Sequence, residues 1–140
     1  MRVDFDVPVT TAFAYLSDPR NRPEWQASLA SVELVTDGPP RVGTRWRDHT
    51  RPGMVPEMEI TVLEPDRTWA ESGRWRGVIT AELTLDFAPA PGGCVVDVRF
   101  GVQGRGLLRP VGWLATVAGV LPVRADVRRA ARILSERQVG

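Results

Sequence analysis

The run Arg45-Trp46-Arg47-Asp48-His49-Thr50 alternates two kinds of side chain. In an extended segment Trp46, Asp48 and Thr50 share one face, and Arg45, Arg47 and His49 share the other. Three ionisable side chains belong in water, so the Trp46 face is the inward one. That places a carboxylate, Asp48, on the apolar side. Desolvation raises a carboxyl pKa and suits the group to acid–base work or to binding a ligand hydroxyl. The structural alternative is that Asp48 reaches solvent at the strand end or pairs with Arg74 or Arg99. Ser72 is a second, weaker candidate for orienting a bound molecule.

Other chemistries find little support. His49 lies on the outward face and has no clear Ser or Cys nucleophile to make a triad. Cys94 stands beside Gly92-Gly93 without a charged neighbour to activate a thiol. With one Cys and one His, a zinc site would need mostly carboxylates, so no metal and no cofactor is expected. Glu57, Glu59, Glu64 and Asp66 read as a solvated acidic face. The basic residues are all Arg, which excludes lysine Schiff-base chemistry. A net charge of +1 offers no global field for nucleic acid. Arg128, Arg129 and Arg132 complement a helix C-terminus without one.

Apolar side chains carry the stronger signal. Five Trp in 140 residues supply large flat walls with one N–H donor each. Strand parity and helix spacing give an expected pocket wall of Trp46, Met58, Ile60, Trp75, Leu83, Leu85, Phe100, Trp113, Val117 and Leu121; Trp25 reads instead as a packing anchor. The turn around Pro52, Gly53 and Met54 combines a stiff, a permissive and an apolar residue, and is the expected gate.

These residues need elements to hold them. Val3, Phe5 and Val7 alternate with acids as a first strand. A short helix over Ala12–Leu16, capped by Thr10 or Thr11, and a helical turn at Arg22–Gln26 follow. Six further strands come next: Leu29–Val35, Thr44–Thr50, Glu57–Val62, Thr68–Trp75 with a bulge at Gly73, Val78–Phe87 and Cys94–Val102. Ala88–Gly93 reads as a hairpin loop. Gly106–Gln138 is one long helix, uncharged over Val111–Val123 and Arg-rich beyond. Short links imply antiparallel neighbours, and one apolar face per strand implies one packed face. The fold class is therefore α+β, in one domain over residues 1–140. The thirteen-residue run Val111–Val123 is too short to span a bilayer. MRVDFDVPV carries acids where a secretion signal needs a basic start. A lone Cys fits a reducing cytoplasm, the expected location.

The order of elements and several phrases resemble the START-like helix-grip superfamily, and within it the polyketide cyclase/dehydrase and lipid-transport (SRPBCC) group. The phrases are Val7–Phe13, Asp18–Trp25, Val42–Trp46, Leu63–Arg67 and Phe87-Ala88-Pro89, with Ile133-Leu134 near the end of an Arg-rich helix. The resemblance implies a curved antiparallel sheet of about seven strands around a long C-terminal helix, with a cavity between them. It also implies a small hydrophobic ligand, aromatic, polycyclic, polyketide- or lipid-like. It carries over no catalytic set. Three readings follow: a binding protein, a cyclase or dehydrase using Asp48, or a protein-interaction module using the apolar half of the last helix. The last predicts an exposed apolar patch. A monomer or homodimer is expected.

Overall fold

Alternating burial along each strand builds one sheet and decides which side of it is packed. The computed structural model describes residues 1–139, apart from the side chains of Val117, Ala118 and Val120. The strands are β1 (Arg2–Phe5), β2 (Leu29–Leu34), β3 (Arg45–Thr50), β4 (Glu57–Glu64), β5 (Thr68–Trp75), β6 (Ile79–Ala90) and β7 (Gly93–Gly104). They form one seven-stranded sheet in the order β1-β7-β6-β5-β4-β3-β2, antiparallel throughout. Helices α1 (Val9–Leu16) and α2 (Arg22–Trp25) follow β1, and α3 (Arg109–Val139) closes the chain. This is the helix-grip arrangement implied by the resemblance.

Several boundaries differ from the sequence reading. Helix α1 starts one turn early: Pro8 sits at its N-cap, its carbonyl accepting from the N–H groups of Thr11 and Ala12 at 3.0 and 3.1 Å. No side chain caps it, so the expected Thr cap is absent. The β6–β7 ladder runs on to Ala90 and Gly93, leaving a turn of only Pro91 and Gly92. Gly92 has φ 79°, a conformation that favours glycine. The β4–β5 bulge lies between Ile60 and Val62, not at Gly73. An extra residue there flips the parity, so Leu63 rather than Val62 continues the inward series.

The core gathers α1, β1, β6, β7 and the second half of α3. Phe13 meets Phe87 edge-on at 5.1 Å. Val127, Ala130 and Leu134, at three- and four-residue spacing, bury one stripe of α3. Polar ties fix the same half: Ser135 donates to Asp6 at 2.7 Å, Arg137 to Glu24 at 2.8 Å, and Asp126 accepts from the Ala27 N–H at 3.2 Å. This half clamps helix to sheet. The segments Gly106–Thr116 and Leu121–Val139 meet at 47°, with Pro122 at the start of the second. No single helix among the described residues is long and apolar enough to cross a membrane.

Candidate functional site

Side-chain size across the sheet creates the site. Paired positions place Met58, Gly73, Ala81 and Val102 in one inward row. The adjacent row is Ile60, Glu71, Leu83 and Phe100. Gly73 and Ala81, at the centre of the first row, fill little of the space beneath α3. The result is a cavity of about 430 Å³ between the sheet and the first half of the helix. Met58 leans over Gly73, where an added Cβ would lie 2.7 Å from its Sδ. Trp75 and Ile79 line the cavity towards one end of the sheet, and Met54 and Pro56 close its side.

The roof is made of small residues for a steric reason. Gly112, Ala115 and Gly119 face the cavity. A Cβ at Gly112 would stand 2.5 Å from the Gly104 backbone nitrogen, and one at Gly119 2.4 Å from the Phe100 ring. Thr116 fastens this half: its hydroxyl accepts from the Val102 N–H at 2.7 Å and lies 3.0 Å from the Val102 and Gly112 carbonyls. Held this close, the helix leaves no room for a side chain at Gly112 or Gly119.

At the other end the lining turns polar. Arg22, 2% exposed, projects from α2. Its Nη2 and Nε donate to Asp48 Oδ2 and Oδ1 at 2.9 and 3.3 Å, and its Nη1 donates to Glu71 Oε2 at 2.6 Å. Trp46 Nε1 donates to Asp48 Oδ1 at 2.9 Å. The Trp46 and Trp25 rings lie 5.2 and 5.9 Å from the guanidinium carbon, so two aromatic faces back the cation. Burial opposes the charge on Arg22, but Glu71 and Asp48 outweigh it and hold its pKa above the ordinary guanidinium value. Glu71, 5% exposed, behaves differently. Burial pushes its carboxyl up to about 7; Arg22 pulls against that rise and Asp48 adds to it. Asp126 of α3 joins the same lining. Burial also raises its pKa, against the Ala27 N–H, Arg129 and Arg22.

The structure sorts the expected site residues by distance from this cavity. Asp48, Met58, Trp75, Leu83 and Phe100 line it. Trp46, Ile60 and Leu85 do not: all three are buried in the core, with Trp46 behind Asp48. Ser72 is three residues from Trp75, so period-two alternation turns it to the other face, between Glu59 and Glu82. Trp113 and Leu121 are corrected outright. They are 67% and 74% exposed, because the close approach at Gly112 and Gly119 puts their side of the helix outward. Val117 lies outside the described side chains. Of the expected gate, Met54 lines the cavity, whereas Pro52 and Gly53 border an outer cleft with Trp75 and Arg76. His49 is outward, 3.1 Å from Glu33. Trp25 is 1% exposed, as expected of an anchor.

Asp48 is paired, though not with Arg74 or Arg99; Arg22 takes it, and Arg99 binds Asp86 instead. Sequence reasoning missed Arg22, Glu71 and Asp126. Glu71 was reachable, since Trp69, Glu71, Gly73 and Trp75 share one face of β5. Arg22 was not, because a four-residue helix carries no usable periodicity. Among the described residues no group of three or more His, Cys, Asp or Glu is arranged to hold a metal ion.

A fold of this kind with an apolar cavity invites comparison with known proteins. The profile of the family described as "Polyketide cyclase / dehydrase and lipid transport" matches residues 1–138. The chain belongs to this family. Several solved structures share the fold. Ara h 8.0201 superposes with a TM-score of 0.78 at 13% identity, covering 97% of this chain and 95% of that one. The di-domain ARO/CYC StfQ from the steffimycin biosynthetic pathway gives 0.78 at 14% identity, covering all of this chain and 51% of that one. Protein MLL2253 from Mesorhizobium loti gives 0.73 at 17% identity, with 97% and 95% coverage. At these identities the likeness is one of fold. No curated protein matches the sequence.

Proposed function

We propose that this polyketide cyclase/dehydrase family member binds a small hydrophobic molecule, aromatic or polycyclic, in the cavity beneath the first half of α3. The single observation carrying this reading is the cavity itself. About 430 Å³ of mostly apolar space opens where Gly73 and Ala81 thin the sheet's inner face, and it ends at a buried polar cluster. Apolar walls with a few convergent polar groups are the general form of small-molecule sites. Trp75 and Phe100 supply flat contact surface, and Met54 serves as the movable part of the mouth. The lone, buried Cys94 fits a reducing cytoplasm, and the net charge of +1 gives nucleic acid no purchase. The test is native mass spectrometry of freshly purified protein, followed by thermal unfolding with an apolar aromatic panel. A co-purified molecule or a concentration-dependent rise in Tm is expected. A panel that raises Tm nowhere rejects the cavity reading.

A second reading, a cyclase or dehydrase, is favoured by one observation: Glu71 is a buried carboxyl lining the cavity, where desolvation pushes its pKa up to about 7. Such a carboxyl can hand a proton to a ligand oxygen and take one back. Asp48, the earlier candidate, is held by Arg22 and Trp46 and acts as the positioning partner. Glu71→Gln would then abolish turnover of a bound polyketide while binding survives. A variant that keeps turnover removes Glu71 from the chemistry.

A further inference from the structure

The proposed cavity has a polar end whose charge balance restricts what can enter. Among the described residues Arg22 is the one cation in that lining; the carboxylates of Asp48, Glu71 and Asp126 line the same end. Arg22 already spends three N–H bonds on Asp48 and Glu71. Its charge is therefore over-compensated, and an incoming anion would meet carboxylates rather than a free guanidinium. On Glu71, Oε2 is taken by Arg22, and among the described residues no donor reaches Oε1. Glu71 is 5% exposed, so this oxygen has little access to bulk water and meets the cavity. Asp126 spends one oxygen, Oδ1, on the Ala27 N–H. Its ion pair with Arg129 is loose, at 3.9 Å. Unfilled acceptors in a low-dielectric pocket gain from a donor and lose from another acceptor.

Resting on the cavity reading above, we infer that the ligand presents a hydrogen-bond donor, a hydroxyl or an ammonium, to Glu71 and Asp126, and that apolar molecules ending in a carboxylate are rejected. A hydroxyl suits the site best. It donates to an ionised carboxylate and accepts from a protonated Glu71, so it is satisfied in either state of that residue. A fatty-acid head, ionised at neutral pH, has no proton to donate, and it accepts from a protonated Glu71 only by placing a further negative charge beside Asp48 and Asp126.

Four probes with one apolar body test this by isothermal titration calorimetry near neutral pH: 2-naphthol, 2-naphthylmethylammonium, 2-naphthoate and 2-methylnaphthalene. At least one donor-bearing probe is expected to bind about tenfold or more tighter than 2-methylnaphthalene, and 2-naphthoate more weakly than the hydrocarbon. Whichever donor wins identifies the head group. Naphthoate binding as well as naphthol, or all four binding alike, overturns the inference while leaving the cavity reading intact. Binding by none of the four overturns the cavity reading along with it. A variant separates recognition from folding: Asp126→Asn, at a partly exposed position, is expected to fold and to improve naphthoate relative to naphthol severalfold. An unchanged ratio with Asp126→Asn removes Asp126 from the site.

Discussion

Glu71→Gln should change the pH dependence of stability in a calculable way. Burial pushes the Glu71 carboxyl up to about 7 in the folded chain, against 4.5 for an ordinary Glu such as it would be when unfolded. Below about pH 4.5 the carboxyl is protonated in both states and contributes nothing. Between those values the unfolded chain releases the proton while the folded one holds it, so stability falls as pH rises. Above about pH 7 both states are ionised and the loss levels off. At about 1.4 kcal/mol per pH unit, the full cost is on the order of 3 kcal/mol. The amide of the variant mimics the protonated acid: its oxygen can still accept from Arg22 Nη1, but it does not titrate. Groups away from Glu71 titrate alike in the two proteins and cancel in the difference. Urea unfolding followed by tryptophan fluorescence, from about pH 4 to pH 8, should show the two nearly equally stable in acid. The variant should then gain progressively to the full difference. A difference that stays flat with pH would refute both the burial of Glu71 and the charge balance drawn around Arg22.

Four further outcomes follow from the same geometry. Arg22→Met should destabilise by about 3–5 kcal/mol in urea, because it leaves Asp48 and Glu71 buried without their cation. Gly73→Ala should cost within about 1 kcal/mol of stability, since the Met58 tip can yield, yet weaken ligand binding as that tip is pushed into the cavity. Gly112→Ala should cost more, about 1–3 kcal/mol by thermal unfolding, because its Cβ meets Gly104 backbone rather than a movable side chain. Trp113→Gln should alter stability by less than about 0.5 kcal/mol and leave ligand affinity unchanged. If it instead splits a dimer in light scattering, the exposed face of Leu107, Trp113, Leu114 and Leu121 is the interface of the interaction-module reading.

Sheet and helix were legible because period-two and helical patterns are local. Alternation along β3, β6 and β7 gave the inward faces, whereas on β5 Ser72 was grouped with Trp75 although the two face opposite sides. The roof was misread because helical periodicity groups Trp113, Val117 and Leu121 without saying which way that group points. The close approach of α3 to Gly104 and Phe100 decides it in favour of Gly112, Ala115 and Gly119, a contact between segments that local spacing does not encode. The bulge after Ile60 defeated parity for the same kind of reason, since only the partner strand reveals it. Asp48 was placed inward correctly, but its partner came from a short helix 26 residues earlier. A buried ion cluster is assembled from three elements at once. Its β3 member, Asp48, announced itself in the alternation; its β5 member, Glu71 between Trp69 and Trp75, was reachable in the same way but was missed.

Trp75 offers the most direct test of where a ligand sits, because among the described residues it is the one tryptophan lining the cavity. Trp25, Trp46 and Trp69 are in the core, and Trp113 faces out. Titration of 2-naphthylmethylammonium or another apolar aromatic probe into the wild type and into Trp75→Phe, following binding-dependent tryptophan quenching, separates inside from outside. A saturable quench that Trp75→Phe largely removes is the predicted result. A quench that survives Trp75→Phe and disappears with Trp113→Phe would place the ligand on the outer face of α3 and contradict the cavity.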